Sequence, residues 1–408
     1  MSPEKPSPVR FIGLDIHKYY LIAMGVDADL NPLLGPQRVQ LSNLEGWTQK
    51  TLTPQDAVVI EMTTNTWQIY DELLPHVHSV TVVHPPHIAL ITRSQVMTDK
   101  IAASHLARLH AKGLLVGIWV PPQEVRDRRA LSAQRRKMSR LSTQAKNRLH
   151  AVLHRHHLPP PAGKPFSPDK RVWWLSLPLT PLEKAMLLSD LDTLTFAQSQ
   201  IASLEQAMLS LAAQDERIPL LIQMPGISLV NAMTILAAIG DITRFPDAKN
   251  LVGYAGLGVR IHDSGLTSRT GRITKAGRKD LRATMVEAAQ TAANTHPHWQ
   301  AELKRLEPRL GRNKAIVAIA RKLLVAVWHV LAFQIADRFA VPELVAKKLK
   351  NFSDRLRLER RSPGQSTAAY VRSQLDRLGI GAQVSHLYRG KLKSPLRLPP
   401  SALRPTGD

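Results

Sequence analysis

Four short apolar runs near the N-terminus, one enclosing an acid and one followed directly by another, set the architecture of the first part of this chain. Val9 to Ile16 and Leu21 to Val26 are rich in residues that favour strands, and Asp27 to Pro32 after them is turn chemistry. A third strand near Gln37 to Leu41 completes a meander. Ser42 and Asn43 then read as a helix cap. Ala57 to Ile60 and Val80 to Val83 are continuous apolar runs, as expected of strands buried on both faces, and Trp67 to Leu74 between them has helical period. Pro85 and Pro86 close the last run. The order βββαβαβα, antiparallel at its start and parallel later, predicts an α/β layer fold over residues 1–118.

Charge separates this segment from the rest of the chain. Through Gly117 there are nine Lys and Arg against ten Asp and Glu, whereas the whole chain of 408 residues carries +23, so the remainder holds about +24. A field of that size attracts polyanions, and nucleic acid is the expected partner. The cations are grouped. One group is Arg128, Arg129, Arg135, Arg136, Lys137 and Arg140 on a long helix from about Gln123 to His157. A second is Arg260, Arg269, Arg272, Lys275, Arg278 and Lys279, and a third lies in the tail from Val341. His150, His154, His156 and His157 lack accompanying carboxylates or Cys and read as a polar face near phosphates.

A Pro-rich breaker, Leu158 to Pro165, follows the long helix. Leu187, Leu191, Leu194, Ile201, Leu204, Met208 and Leu211 then give a second helix a coiled-coil seam, so residues 119–217 are expected as a basic helical arm or dimer contact. Residues 218–340 read as a compact, mainly helical domain. In it Met224-Pro225-Gly226 is expected to present backbone N–H groups to a phosphate, and Asp263 to Arg272 to form a Gly, Ser and Thr-rich loop. The basic extension 341–408, with several Pro and Gly, is expected to order in part only on a partner. There is no Cys, no secretory signal pattern, and the apolar window Ala315 to Phe333 is interrupted by Arg321, Lys322 and His329, so the expectation is a soluble cytoplasmic protein with no membrane partner.

The acids carry the chemistry. Asp15 in Gly13-Leu-Asp15-Ile-His-Lys18 and Glu61 after Val58-Val-Ile stand at the tips of expected neighbouring strands, where two carboxylates repel unless a cation lies between them. Asp99, in Thr98-Asp99-Lys100, begins a helix that can close the site. Each has an ordinary reading alone: a strand-end turn, a surface residue, an N-cap. Together, in this order of elements, they predict a hard divalent metal site.

These residues resemble the ribonuclease H-like, RuvC-like domain of the insertion-sequence 110/1111 family of transposases, the bridge-RNA-guided recombinases. Pro225-Gly226-Ile227, Ala237 to Phe245, Tyr254-Ala-Gly-Leu257, Ser264-Gly265 and Gly271 to Gly277 resemble the family's serine-containing domain. The resemblance spans about residues 9 to 335. It implies that Asp15, Glu61 and Asp99 hold Mg2+, that Ser264 attacks DNA to form a phosphoserine link, that a guide RNA pairs with target and donor DNA, and that the protein works as a homo-oligomer, a dimer or tetramer, in the bacterial cytoplasm.

One position departs from the pattern. The family has a fourth acid three residues after the third, and here that position is Ala102, either a natural variant or a deliberate replacement. Impaired metal binding and cleavage are therefore expected. Two other readings remain open: a metal-dependent junction-resolving nuclease in which Ser264 is structural, and a non-catalytic nucleic-acid-binding regulator.

Overall fold

A computed structural model describes residues 7–85, 98–264, 267–356, 366–387 and 395–403, and the side chains of 261–270 lie outside the description. The backbone packs as two compact units, Met1–Pro122 and Gln123–Asp408.

In the first unit β1 (Arg10–Ile16), β2 (Tyr20–Val26) and β3 (Pro32–Gln40) form an antiparallel meander. After α1 (Leu44–Thr51) the chain returns as β4 (Asp56–Glu61), crosses through α2 (Thr66–Leu73), and ends the sheet as β5 (Ser79–Val83). The order is β3-β2-β1-β4-β5, with β1, β4 and β5 parallel. The third strand begins at Pro32, earlier than the expected Gln37, because Pro32 already pairs with Val26 across the tight Asp27 turn.

Side chains alternate across a sheet. Ile12, Leu14, Val58 and Ile60 bury into one face with Ile69 and Leu73 of α2. The opposite face carries Gly13, Asp15, Val59 and Glu61, and it is covered by α3 (Asp99–Ala111), whose Leu106 packs with Val59 and Val83. That packing is unusually close at Gly13. A Cβ there would lie 2.2 Å from the Ala103 carbonyl oxygen and 2.6 Å from the Ala107 nitrogen, so only glycine lets the helix settle onto β1.

The second unit opens with α4 (Gln123–Arg155), which is followed by the short α5 (Arg171–Leu175) and the long α6 (Pro181–Ala212). Arg135 pairs with Glu205, Arg148 with Asp190 and His156 with Glu183, so one number falls as the other rises and α4 and α6 run antiparallel. Ala145, Leu149 and Leu153 meet Leu187, Leu191 and Leu194 between them, with Trp174 of α5 filling the end. His156 thus pairs with a carboxylate, and His150 packs edge-on against Phe166 at 4.9 Å.

The larger core surrounds α8 (Leu229–Ile239), which follows the short α7 (Arg217–Ile222) and is buried at every position but Val230. Next come α9 (Ala248–Tyr254), a hairpin of β6 (Val259–Ser264) and β7 (Thr267–Ile273), then α10 (Lys279–Thr295), α11 (Pro297–Leu310) and α12 (Arg312–Phe333). Among the described residues α12 is the one helix long and apolar enough to cross a membrane, yet Ile316, Ile319, Leu323, Leu324, Val327 and Val330 lie inside this core.

The Pro225-Gly226 turn lines an open cavity of about 340 Å³ with His296, Lys347 and Lys348, and Gly226 sits so close to α10 that a Cβ would meet the Ala288 carbonyl oxygen at 1.9 Å. One expectation needs correction: the described parts of the extension do not wait for a partner. Its α13 (Pro342–Arg355), α14 (Thr367–Arg377) and the short β8 (His386–Leu387) and β9 (Leu396–Arg397) place Val345, Leu349, Phe352, Val371 and Leu375 in the same core, which its apolar spacing makes possible despite the high charge.

Candidate metal centre and serine-bearing hairpin

Strand register places the first two acids. Leu14 pairs with Ile60 in the parallel β1–β4 ladder, so the next residues, Asp15 and Glu61, stand level at the strand ends on the face covered by α3. The third acid arrives by helix geometry. Asp99 precedes Ala103 by one turn, and Ala103 rests against Gly13, two residues before Asp15. Thr98, not Asp99, caps the helix, its hydroxyl accepting from the Ile101 N–H at 3.4 Å. The Asp99 carboxylate is therefore left to face the strand ends.

Asp15, His17 and Asp99 each offer a donor atom within 4.8 Å of the other two. His17 Nε2 lies 3.2 Å from Asp15 Oδ2 and 3.2 Å from Asp99 Oδ2. The Tyr20 hydroxyl donates to Asp99 Oδ2 at 2.9 Å, its ring stacks on His17 at 4.7 Å, and the Arg38 guanidinium covers it at 3.9 Å. Glu61 stands outside the group of three but acts on it. Burial raises the Glu61 pKa and the Asp15 charge raises it further. Asp15 is raised by burial too, with His17 pulling the other way and Asp99 adding to the rise. A cation among such acids would favour their ionised forms.

Donors around one ion at roughly 2.0–2.4 Å are at most about 4–5 Å apart, so the spacing of the three fits a shared divalent cation. Ala102, half-buried and one residue before Ala103, offers no donor. His17, Tyr20 and Arg38 were not singled out from the sequence. Alternation was the available signal, since His17 lies two residues beyond Asp15.

The cations expected on α4 divide by contact. Arg128 is buried between Asp215 and Glu124, 2.7 Å from the latter. Arg129 donates to the Ala237 and Ala238 carbonyls at the end of α8, at 2.8 and 3.0 Å, and Arg135 donates twice to Glu205. These three brace the helix packing, and the buried Arg128 guanidinium is paired as its burial requires. Arg136, Lys137 and Arg140 instead line an open cavity of about 430 Å³ with Met138 and Gln144, and Lys137 and Arg140 are exposed.

The expected loop around Ser264 is a hairpin. Ser264 ends β6 opposite Thr267, His262 is opposite Arg269, and Gly265 lies outside the described residues, as do the side chains of Ser264 and Arg269. Two glycines fix its foot. Gly256 (φ +66°) and Gly277 (φ +104°) occupy the left-handed region, where a Cβ would meet the Ala276 oxygen at 2.2 Å and the Tyr254 oxygen at 2.3 Å. The Lys275 N–H donates to the Gly256 carbonyl and the Arg278 N–H to that of Tyr254. Arg260 donates to the Thr274 carbonyl at 3.3 Å. Arg278 is paired with Asp280: burial pulls that acid up, but the bonds from Arg278 outweigh it and hold the pKa low. Arg260, Arg272, Lys275 and Lys279 are exposed.

Comparison with known proteins matches both units. A transposase profile of the IS110 DEDD type matches residues 12–158, and a profile described as the transposase IS116/IS110/IS902 family matches residues 218–304. The chain belongs to the IS110/IS116 family of transposases. Among relatives of this transposase, the pilin gene-inverting protein of Moraxella bovis is 29% identical over 283 residues, 67% of this chain and 79% of that protein. The transposase for insertion sequence element IS1111A of Coxiella burnetii is 25% identical over 260 residues, 62% of this chain and 71% of that one. A DEDD-type transposase domain points to a divalent metal, and the Asp15, His17 and Asp99 donors are suited to one.

Proposed function

We propose that this transposase is a metal-dependent DNA recombinase that cuts and exchanges strands through a phosphoserine intermediate, guided by a structured RNA. The convergence of Asp15 and Asp99 beside Glu61 carries the reading. No reason of stability brings three acids to one strand edge, whereas phosphoryl transfer needs an ion there. Asp15, Glu61 and Asp99 would hold Mg2+, which supplies neutralisation of charge on the phosphoryl oxygens when bound. In the second unit the Ser264 hydroxyl attacks the scissile phosphorus. The bond to the 3′ oxygen breaks, that oxygen takes up a proton, and the serine proton passes to base or solvent. Attack by another strand's 3′ hydroxyl reverses the step and releases serine, so the ester conserves the energy and no nucleotide cofactor is required.

The division of labour follows the chain: residues 1–118 for the ion, 119–217 as the arm, 218–340 for the serine, and 341–408 as an extension of the helical unit. Arg136, Lys137 and Arg140 on the arm, with Arg260, Arg269, Arg272, Lys275 and Lys279 around the hairpin, supply contacts to RNA and DNA backbones. Arg278 supports the serine hairpin through Asp280. Base pairing with the guide reads sequence, and the assembly is a homo-oligomer in which one protomer's serine meets another's acids.

Because Ala102 removes a ligand, the test uses Ala102→Asp. With labelled DNA, guide RNA and Mg2+ it is expected to yield a denaturation-resistant protein–DNA adduct that Ser264→Ala abolishes. Cleavage without an adduct would instead mark a nuclease in which water attacks. Ala102 itself favours the second reading, a regulator that binds nucleic acid without chemistry, and binding with neither cleavage nor adduct after Ala102→Asp would support it.

A further inference from the structure

The missing fourth acid and the position of His17 belong together. Family logic asks for a carboxylate at 102, three residues along α3 from Asp99, and the chain has a methyl group there. The third donor atom actually gathered with Asp15 and Asp99 is the His17 imidazole, with Nε2 equidistant from the two carboxylates at 3.2 Å. Its ring is not left to rotate. Tyr20 stacks on it with planes 22° apart, Arg38 covers Tyr20, and the Tyr20 hydroxyl bonds to the same Asp99 oxygen that His17 faces. The imidazole remains partly open to solvent, so an ion has access. An aromatic bracket that fixes ring orientation beside two carboxylates is what a metal-ligating histidine needs.

We propose that His17 is a metal ligand in this protein, taking through Nε2 the coordination position that a carboxylate at 102 would have filled. The centre is then a mixed nitrogen and oxygen site instead of an all-carboxylate one. Imidazole suits Mn2+ and later transition ions better than Mg2+, which prefers oxygen donors and dehydrates reluctantly. The consequence is a change of metal preference: this chain takes Mn2+ ahead of Mg2+, and Ala102→Asp moves the preference back toward Mg2+. The inference rests on the reading of the first unit as a metal-dependent transposase domain.

The test loads the full-length protein with Mn2+ alone, with histidine labelled by 15N in a parallel sample, and records pulsed electron paramagnetic resonance. A hyperfine coupling from a directly bound imidazole nitrogen is expected, shifting with the isotope and absent in His17→Gln. Titration calorimetry with Mn2+ and with Mg2+ should show Mn2+ bound at least about tenfold more tightly, a preference that His17→Gln removes. Thermal unfolding without metal checks that the variant is folded. If Mn2+ binds with no nitrogen coupling and with equal affinity in His17→Gln, the carboxylates hold the ion alone: the inference falls and the metal-site reading stands. Binding by Ala102→Asp but not by the parent chain likewise overturns the inference alone. No binding of either ion to the parent or to Ala102→Asp overturns both.

Discussion

Gly13 shows how one missing side chain can build a site two residues away. Gly13→Ala must push α3 off β1, because the new Cβ would overlap backbone and not a movable side chain. The expected cost is about 2 kcal/mol, read by denaturant unfolding, with loss of Mn2+ binding in calorimetry as Asp99 moves away from Asp15. Asp215 answers for the second unit. Burial raises its pKa, but bonds from Arg217 and Arg128 prevail and hold it at about 2, below the unfolded value of 3.8. A depressed acid stabilises above the unfolded pKa, so its contribution is complete above roughly pH 5 and is lost as pH falls toward 2. Asp215→Asn should remove that part of the acid transition. It also leaves Arg128 buried without its main partner, costing about 3 kcal/mol at neutral pH by chemical denaturation. Asp15 and Glu61 could be picked out because acids at the ends of apolar runs are conspicuous, and Asp99 because it opens a helix. His17 could not, since its proposed role depends on a helix far along the chain.

The hairpin is the element on which the proposed chemistry turns. Its strands escaped the sequence reading because Ser, Thr, Gly and Arg over 263–272 suggest a polar loop, and backbone pairing without an apolar face leaves no periodic signal. Its glycines were visible as letters but not as geometry. Gly277→Ala, at φ +104° and against the Tyr254 carbonyl, should cost about 2 kcal/mol in unfolding experiments and abolish the covalent adduct in the Ala102→Asp background. The long helices were read more easily. The breaker at 158–165 and the Leu spacing of α6 gave both, although α6 is started by a device of its own: Thr180 and Glu183 form a reciprocal cap. Thr180→Ala should lower stability by about 1 kcal/mol, measured by thermal melting followed by circular dichroism.

At the scale of the whole molecule, charge predicted the class of partner but not which cations are available to it. A buried and an exposed arginine look alike in a sequence, and only packing shows that Arg128, Arg129 and Arg135 brace helices while Lys137 and Arg140 face outward. Lys137→Ala with Arg140→Ala should therefore weaken binding to unrelated DNA sequences alike. It should also lower the slope of log affinity against log salt by about 1 to 2, as fewer counterions are released. Arg135→Ala should act mainly on unfolding.

The C-terminal extension gives this unit its last layer. Arg372, almost wholly enclosed, donates to the carbonyls of Gly381, Val384 and Pro399, and Asp376 receives Ser401 and the Ala402 N–H. Lys348, which burial pushes down to about 8, reaches back to the Met224 carbonyl. Anyone shortening the gene to a minimal tool by stopping at 340, on the grounds that the remainder looks like a basic tail, would strip greasy residues of their roof. The product would tend to clump before its chemistry could be assayed.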